Sequence, residues 1–115
     1  MDERLQKALD FSNYTATLNN QKQNIKNRFK QLQIVHHSGG VFLADQQTIS
    51  FVKNMIDLEY TKGVLIDSKD NPVYIKDFNE LLEKLTSSYF DATTEYEAEY
   101  AKIRKSRNIK SMMDW

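Results

Sequence analysis

His36 and His37 are the only imidazoles in the chain, so they are the first place to look for proton transfer or metal ligation. They belong to a β-type stretch, Ile34-Val35-His36-His37, and neighbouring side chains on a strand point to opposite faces. The pair therefore does not share one metal from a regular strand, and a turn-flanking or half-buried histidine is the simpler reading. The carboxylates of 67-DSKDN-71 resemble the opening of a calcium loop, but the Gly at the sixth position and the distal Glu of an EF-hand are missing. Turn chemistry accounts for them better. Ser38-Gly39-Gly40 is too short for a phosphate loop and does not precede a helix. With no Cys there is no thiolate zinc site, iron–sulfur cluster, cysteine nucleophile or disulfide framework. The sequence thus reads as non-enzymatic, with no catalytic, cofactor-binding or metal-ligating residue assigned, no cofactor and no evident small-molecule substrate. An activity would need a pocket at His36 or His37 with carboxylates brought in from the 67–70 loop.

Residues 102–115, KIRKSRNIKSMMDW, are more suggestive. Lys102, Arg104, Lys105, Arg107 and Lys110 precede an apolar cluster of Ile109, Met112, Met113 and Trp115. The basic residues suit phosphate or other anion contact, and Met-Met with a terminal Trp suits docking into a partner's groove. The same residues could instead fold back on their own domain and balance a helix C-terminal dipole. The acidic run 91-DATTEYEAEY-100 reads first as a solvated helix face and second as a face for a basic partner.

The elements that must position these residues follow from periodicity. No Gly or Pro interrupts Asp2 to Gln33, and Phe11, Leu18, Ile25 and Leu32 recur every seven residues, with Tyr14 and Phe29 beside them. That spacing predicts a helix over 2–33 with a narrow apolar seam. Asp77 and Glu80 have capping-box spacing, and Phe78, Leu82, Leu85, Tyr89, Ala92, Tyr96 and Ile103 continue as a heptad series interrupted only at Glu99. This predicts a second helix over 77–106, followed by a tail at 107–115. Between the helices, Ile34–His37 and Val41–Leu43 flank the Ser-Gly-Gly turn, and Val64–Ile66 and Val73–Ile75 flank the 67–72 loop, giving two hairpins. A helix over 46–60, capped by Asp45 and stopped at Gly63, joins them. The expected fold is α+β, mostly α, in the order α-β-β-α-β-β-α: two long antiparallel helices in a coiled-coil-like hairpin, with a head over 34–76, all in a single domain over 1–115.

Sixteen basic and sixteen acidic residues balance, which argues against bulk attraction to nucleic acid or membrane. The charges are nevertheless in blocks, with residues 21–37 carrying +4, 77–101 carrying −6 and 102–115 carrying +4. Antiparallel helices are expected to set Lys22, Lys26, Arg28 and Lys30 beside Asp77, Glu80 and Glu83. No apolar run approaches the ~20 residues of a membrane span, and the charged start MDERLQKALD is unlike a signal peptide, so a soluble, untargeted chain is expected. A domain of 115 residues with a narrow seam is marginal by itself, and self-association is expected to help stabilise it.

The segments 1-MDERLQKALDFSNYTATLNNQK-22, 64-VLIDSKDNPVYIKDFNELLEKL-85 and 104-RKSRNIKSMMDW-115 resemble a family of small proteins encoded by T-even-like marine myoviruses, cyanophages in particular. The resemblance spans the chain, carries no catalytic signature, and implies a bacteriophage protein made in the cytoplasm of an infected host bacterium. The inferred shape is also similar to a prefoldin subunit, from whose simplest pattern the helix at 46–60 departs. Together these readings imply a virion or prohead assembly component acting through its helical hairpin and docking tail, with a second copy or another phage protein as partner. The alternative is an accessory factor of phage replication or transcription that docks its tail on the machinery and contacts nucleic acid.

Overall fold

The computed structural model describes residues 2–113, with side chains over 2–105. Helix α1, Glu3–Leu32, opens at Asp2, whose carboxylate accepts from the Arg4 N–H. Strands β1, Ile34–His37, and β2, Gly40–Leu43, form one antiparallel hairpin, with Ile34 opposite Leu43. Helix α2, Gln46–Asp57, begins where the Asp45 carboxylate accepts from Thr48 N–H at 2.8 Å, as its N-cap position requires. Strands β3, Gly63–Ile66, and β4, Pro72–Ile75, form the second antiparallel hairpin, and helix α3 runs from Phe78 to Met113. The fold is therefore α+β, mostly α, in the expected order. Its extents of 69 × 24 × 17 Å and radius of gyration of 21.1 Å describe a rod with a head. A compact chain of this length would have a radius of gyration near ~13 Å.

Two helix ends differ from the sequence boundaries. Helix α3 does not stop at 106 but continues through 107–113, since neither Gly nor Pro follows Pro72. Helix α2 ends at Asp57 rather than running to 60, and Glu59, not Gly63, turns the chain. Glu59 takes φ +71, while Tyr60 N–H donates to the Met55 carbonyl and Glu59 N–H to the Ile56 carbonyl, the paired bonds of a Schellman cap. The left-handed conformation is costly for a residue with a Cβ, and glycine adopts it freely. Glu59→Gly is therefore expected to stabilise the protein by about 1 kcal/mol, read as a rise in urea midpoint at unchanged slope.

The first hairpin turns through Ser38 and Gly39 alone, at φ 53 and 81, which is the two-residue geometry that matches strand twist. Gly40 is a strand residue with another function. It is buried, and a Cβ there would lie 2.6 Å from Cγ2 of Val73, so its bareness lets the first hairpin rest on the second. The two sheets are also joined through Asp67 and Ser68. Val41 N–H donates to Asp67 Oδ2 at 3.0 Å, and Ser68 N–H and Oγ–H donate to the Val41 carbonyl at 2.9 and 2.7 Å. Buried Gln33 closes the base of the first hairpin: Ala44 N–H donates to its carbonyl and its amide donates to the Ala44 carbonyl.

The core lies in the head, where Val35, Phe42, Ala44, Val52, Val73, Ile75, Phe78, Leu81 and Leu85 form one buried cluster. The seam reading names Leu82 on α3, but Leu81 is the fully buried residue there and Leu82 is half-buried. At its start α3 meets both α2 and β1, so its apolar face must be wider than a two-helix seam. Along the rod, α1 has no fully buried residue, and Leu18, Ile25, Phe29 and Leu32 are half-buried. Phe11 is not in the seam: it is 70% exposed, and Tyr14 is half-buried instead. A straight helix drifts ~20° per heptad, so three heptads carry Phe11 about 60° off the line through Leu32.

Candidate functional site

His37 is buried and His36 exposed, on opposite faces of β1 as strand geometry demands. His37 Nδ1 lies 3.0 Å from Nζ of Lys84, which as an ammonium can only donate. Burial, then the Lys84 charge, lower the pKa of the ring and so favour its neutral form, and Glu80 opposes them. The Asp67 carboxylate is committed elsewhere. Its Oδ1 accepts from Lys69 N–H at 3.0 Å and Asn71 N–H at 2.9 Å, which with the Val41 bond makes three backbone donors. These bonds, led by those from Val41 and Asn71, lower its pKa. The 67–71 segment is thus a carboxylate-pinned turn, and among the described residues no group of three or more His, Cys, Asp or Glu is placed to hold a metal.

Both shifts give stability that is lost on acidification, in separate windows. A depressed pKa means that the unfolded chain takes up protons first. His37 therefore costs stability as pH falls from about 6.5 towards its folded value, and Asp67 does so below about 3.9. In urea titrations across pH 3–8, His37→Asn is expected to flatten the upper window and Asp67→Asn the lower.

The rod sets the basic end of the chain among aromatic and acidic neighbours. The rings of Phe29 and Tyr96 meet edge to face at 5.0 Å, and Tyr96 stacks on Tyr100 at 5.9 Å. Tyr100 in turn lies under two cations, with Lys22 Nζ 5.8 Å and Arg104 Cζ 5.2 Å from its centroid. Arg104 also pairs with Glu97 at 3.3 Å, and Lys102 pairs with Glu99 at 2.8 Å. The bond to Glu99, followed by its charge, raises the Lys102 pKa. Lys105 is exposed and makes no ion pair among the described residues. The side chains of Arg107, Ile109, Lys110, Met112 and Met113, and all of Trp115, lie outside the described residues.

The expected charge pairing occurs further along α3. Arg28 bonds Glu95 at 3.1 Å and Lys22 reaches Tyr100, so the basic stretch of α1 faces residues 95–100 rather than Asp77, Glu80 and Glu83. The head intervenes, and the first turns of α3 are taken up by α2 and β1. These pairs are solvent-exposed and worth at most about 1 kcal/mol each, so they bias helix orientation without holding the rod together.

The feature that sequence reasoning missed is on the head. A groove of about 400 Å³ between α2 and β3 is lined by Phe51, Val64 and Ile66 at its rim, with Phe42, Val52 and Leu65 deeper in. Val64 and Ile66 are 61% and 63% exposed, and Tyr74, the cross-strand partner of Val64, is 51% exposed. With Pro72 opposite Ile66, the outer face of this hairpin is apolar throughout. The signal was present in the unbroken run Val64-Leu65-Ile66: a hairpin apolar on both faces has one face more than its own domain covers.

Compared with protein-family models, with curated proteins and with solved structures, the chain matches none. No helix among the described residues is long and apolar enough to cross a membrane.

Proposed function

We propose that this chain is a non-enzymatic interaction protein, acting as an assembly component whose head carries the contact surface. The observation that carries the reading is the exposed apolar face around Phe51, Val64, Ile66 and Tyr74. In a domain with so small a core, leaving large side chains in water is costly unless a partner covers them. The rod then serves as a spacer, and the C-terminal cluster of Ile109, Met112, Met113 and Trp115 as a second, docking contact. In line with the sequence resemblance, the protein belongs in a bacteriophage virion or prohead intermediate, assembled in the host cytoplasm.

The test is to follow the protein through purified particles and assembly intermediates, beside a version ending at Lys105. Co-purification of the full chain supports the reading. Its loss in the shortened version assigns the contact to the tail, and its persistence assigns it to the head. A strictly monomeric protein, absent from every particle fraction, would contradict it. A replication or transcription accessory that touches nucleic acid is the second reading, for which Lys105 is the exposed tail cation outside an ion pair among the described residues. Lys102 and Arg104 are already engaged by Glu99, Glu97 and Tyr100. Such binding would weaken steeply with salt, whereas an apolar contact would not.

A further inference from the structure

The two hairpins form separate two-stranded sheets, so each strand has an edge without a neighbouring strand. The outer edge of β2 is covered, because Val41 bonds Asp67 and Ser68. The outer edge of β4 is blunted by Pro72, which has no N–H. That of β3 is neither. Asp67 N–H donates to the Asn71 carbonyl at the mouth of the hairpin, and the antiparallel ladder alternates, so Leu65/Val73 and Gly63/Ile75 are the hydrogen-bonded pairs. Val64 and Ile66 therefore direct their N–H and C=O groups away from β4, and among the described residues nothing bonds them. Edge strands are ordinarily protected by charge, a bulge or a covering element, yet Gly63–Ile66 has no charged residue and borders an apolar groove.

We propose that β3 pairs antiparallel with β3 of a second copy, about a two-fold axis at Leu65. This names the partner for the assembly surface proposed above and rests on that reading. Centred there, Val64 lies opposite Ile66 of the other copy, and each such pair exchanges two hydrogen bonds, so all the outward groups of Val64 and Ile66 are satisfied. Their side chains meet as apolar cross-strand pairs on the exposed face. Leu65 meets its own equivalent beside the groove.

Charge complementarity favours a second copy, and favours it in this direction. Lys62 precedes β3 and Asp67 follows it. Antiparallel pairing brings Lys62 of each copy opposite Ser68 of the other, beside a 67–70 turn in which Asp67 and Asp70 outnumber Lys69, whereas parallel pairing would set Lys62 on Lys62 and Asp67 on Asp67. The bonds from Val41, Asn71 and Lys69 keep the Asp67 carboxylate charged. A four-residue strand and one groove make a small contact, so the dimer is reversible and concentration-dependent.

The chain has no cysteine, which makes the register directly readable. Val64→Cys and Ile66→Cys are purified separately, each checked for a wild-type melting curve, then mixed in equal amounts and oxidised in a glutathione buffer. Opposed positions in the proposed register are within disulfide reach, so the mixed 64–66 dimer is expected to exceed each homodimer by ~5-fold or more. A statistical mixture, a dominant 64–64 dimer or no cross-link overturns the register. Ile66→Lys, a change at a 63% exposed side chain, is the companion. It is expected to weaken dimerisation by at least about tenfold with the monomer fold intact, and dimerisation equal to wild type overturns the proposal. Failure here is separable from failure of the assembly reading. A wild-type dimer with statistical disulfides removes only the β3 contact, while absence from particles removes the assembly role whatever the cross-links do.

Discussion

Replacing Leu81 by Ala is expected to cost about 2–5 kcal/mol, while Phe11→Ala changes stability by no more than about 0.5 kcal/mol. The heptad pattern alone would rank them the other way, since Phe11 stands in the seven-residue series and Leu81 does not. Leu81 has no exposed surface and sits in the buried cluster beneath α2 and the hairpins, so truncation loses its transfer energy and leaves a cavity. Phe11 is 70% exposed on α1 and has little burial to lose. Urea unfolding of both variants, with the slope held as a check on two-state behaviour, measures the difference directly. Equal costs would mean that the rod rather than the head carries the stability.

Gly40→Ala is expected to destabilise by about 1–3 kcal/mol, although at a strand position with ordinary φ alanine would otherwise gain from the restricted unfolded chain. The overlap decides the sign. A methyl at Gly40 would stand 2.6 Å from Cγ2 of Val73 and 3.1 Å from Cε2 of Phe42, and both residues are buried, so neither can swing into solvent. Val73→Ala alone should cost about 2 kcal/mol for the lost methyls. The double variant should then be more stable than the sum of the two by at least about 1 kcal/mol, because the new methyl enters the space vacated. Strict additivity would mean that the hairpins do not meet at this point.

Much of the architecture is legible in the sequence because local chemistry specifies it. The Ser-Gly turn, the carboxylate caps at Asp45 and Asp77 and the two apolar strand pairs each act within a few residues of chain, and each lies where the residues indicate. What was not legible depends on three-dimensional neighbours. Periodicity does not reveal that α3 is enclosed on more than one side at Leu81 but on one side at Tyr96. The two-helix charge pairing was misplaced because the head displaces α1 from the first turns of α3. The chain leaves helix α2 through Glu59 in a conformation that favours glycine, which no residue preference announces. Asp67 reads as a turn residue and is one, but its bond to Val41, which ties the two sheets together, crosses 26 positions of chain.

The candidate site was hidden for a related reason. In a four-residue strand whose last three residues are all apolar, alternation does not say which face the domain covers, so the pattern alone does not mark Val64 and Ile66 as exposed. Only the placement of α2 and β4 leaves them in water and leaves their backbone edge open. The tail, by contrast, stands out in composition, and its basic residues at 102 and 104 are engaged by neighbours on the same helix.

The most direct test of the head as a contact surface is the mass of the intact protein in sedimentation equilibrium over a wide concentration range, at low and high salt. A reversible rise from 13.5 kDa to twice that mass, persisting at high salt and suppressed in Ile66→Lys, is the expected result. A mass of 13.5 kDa at every concentration, or an association that disappears with salt and ignores Ile66→Lys, would contradict it.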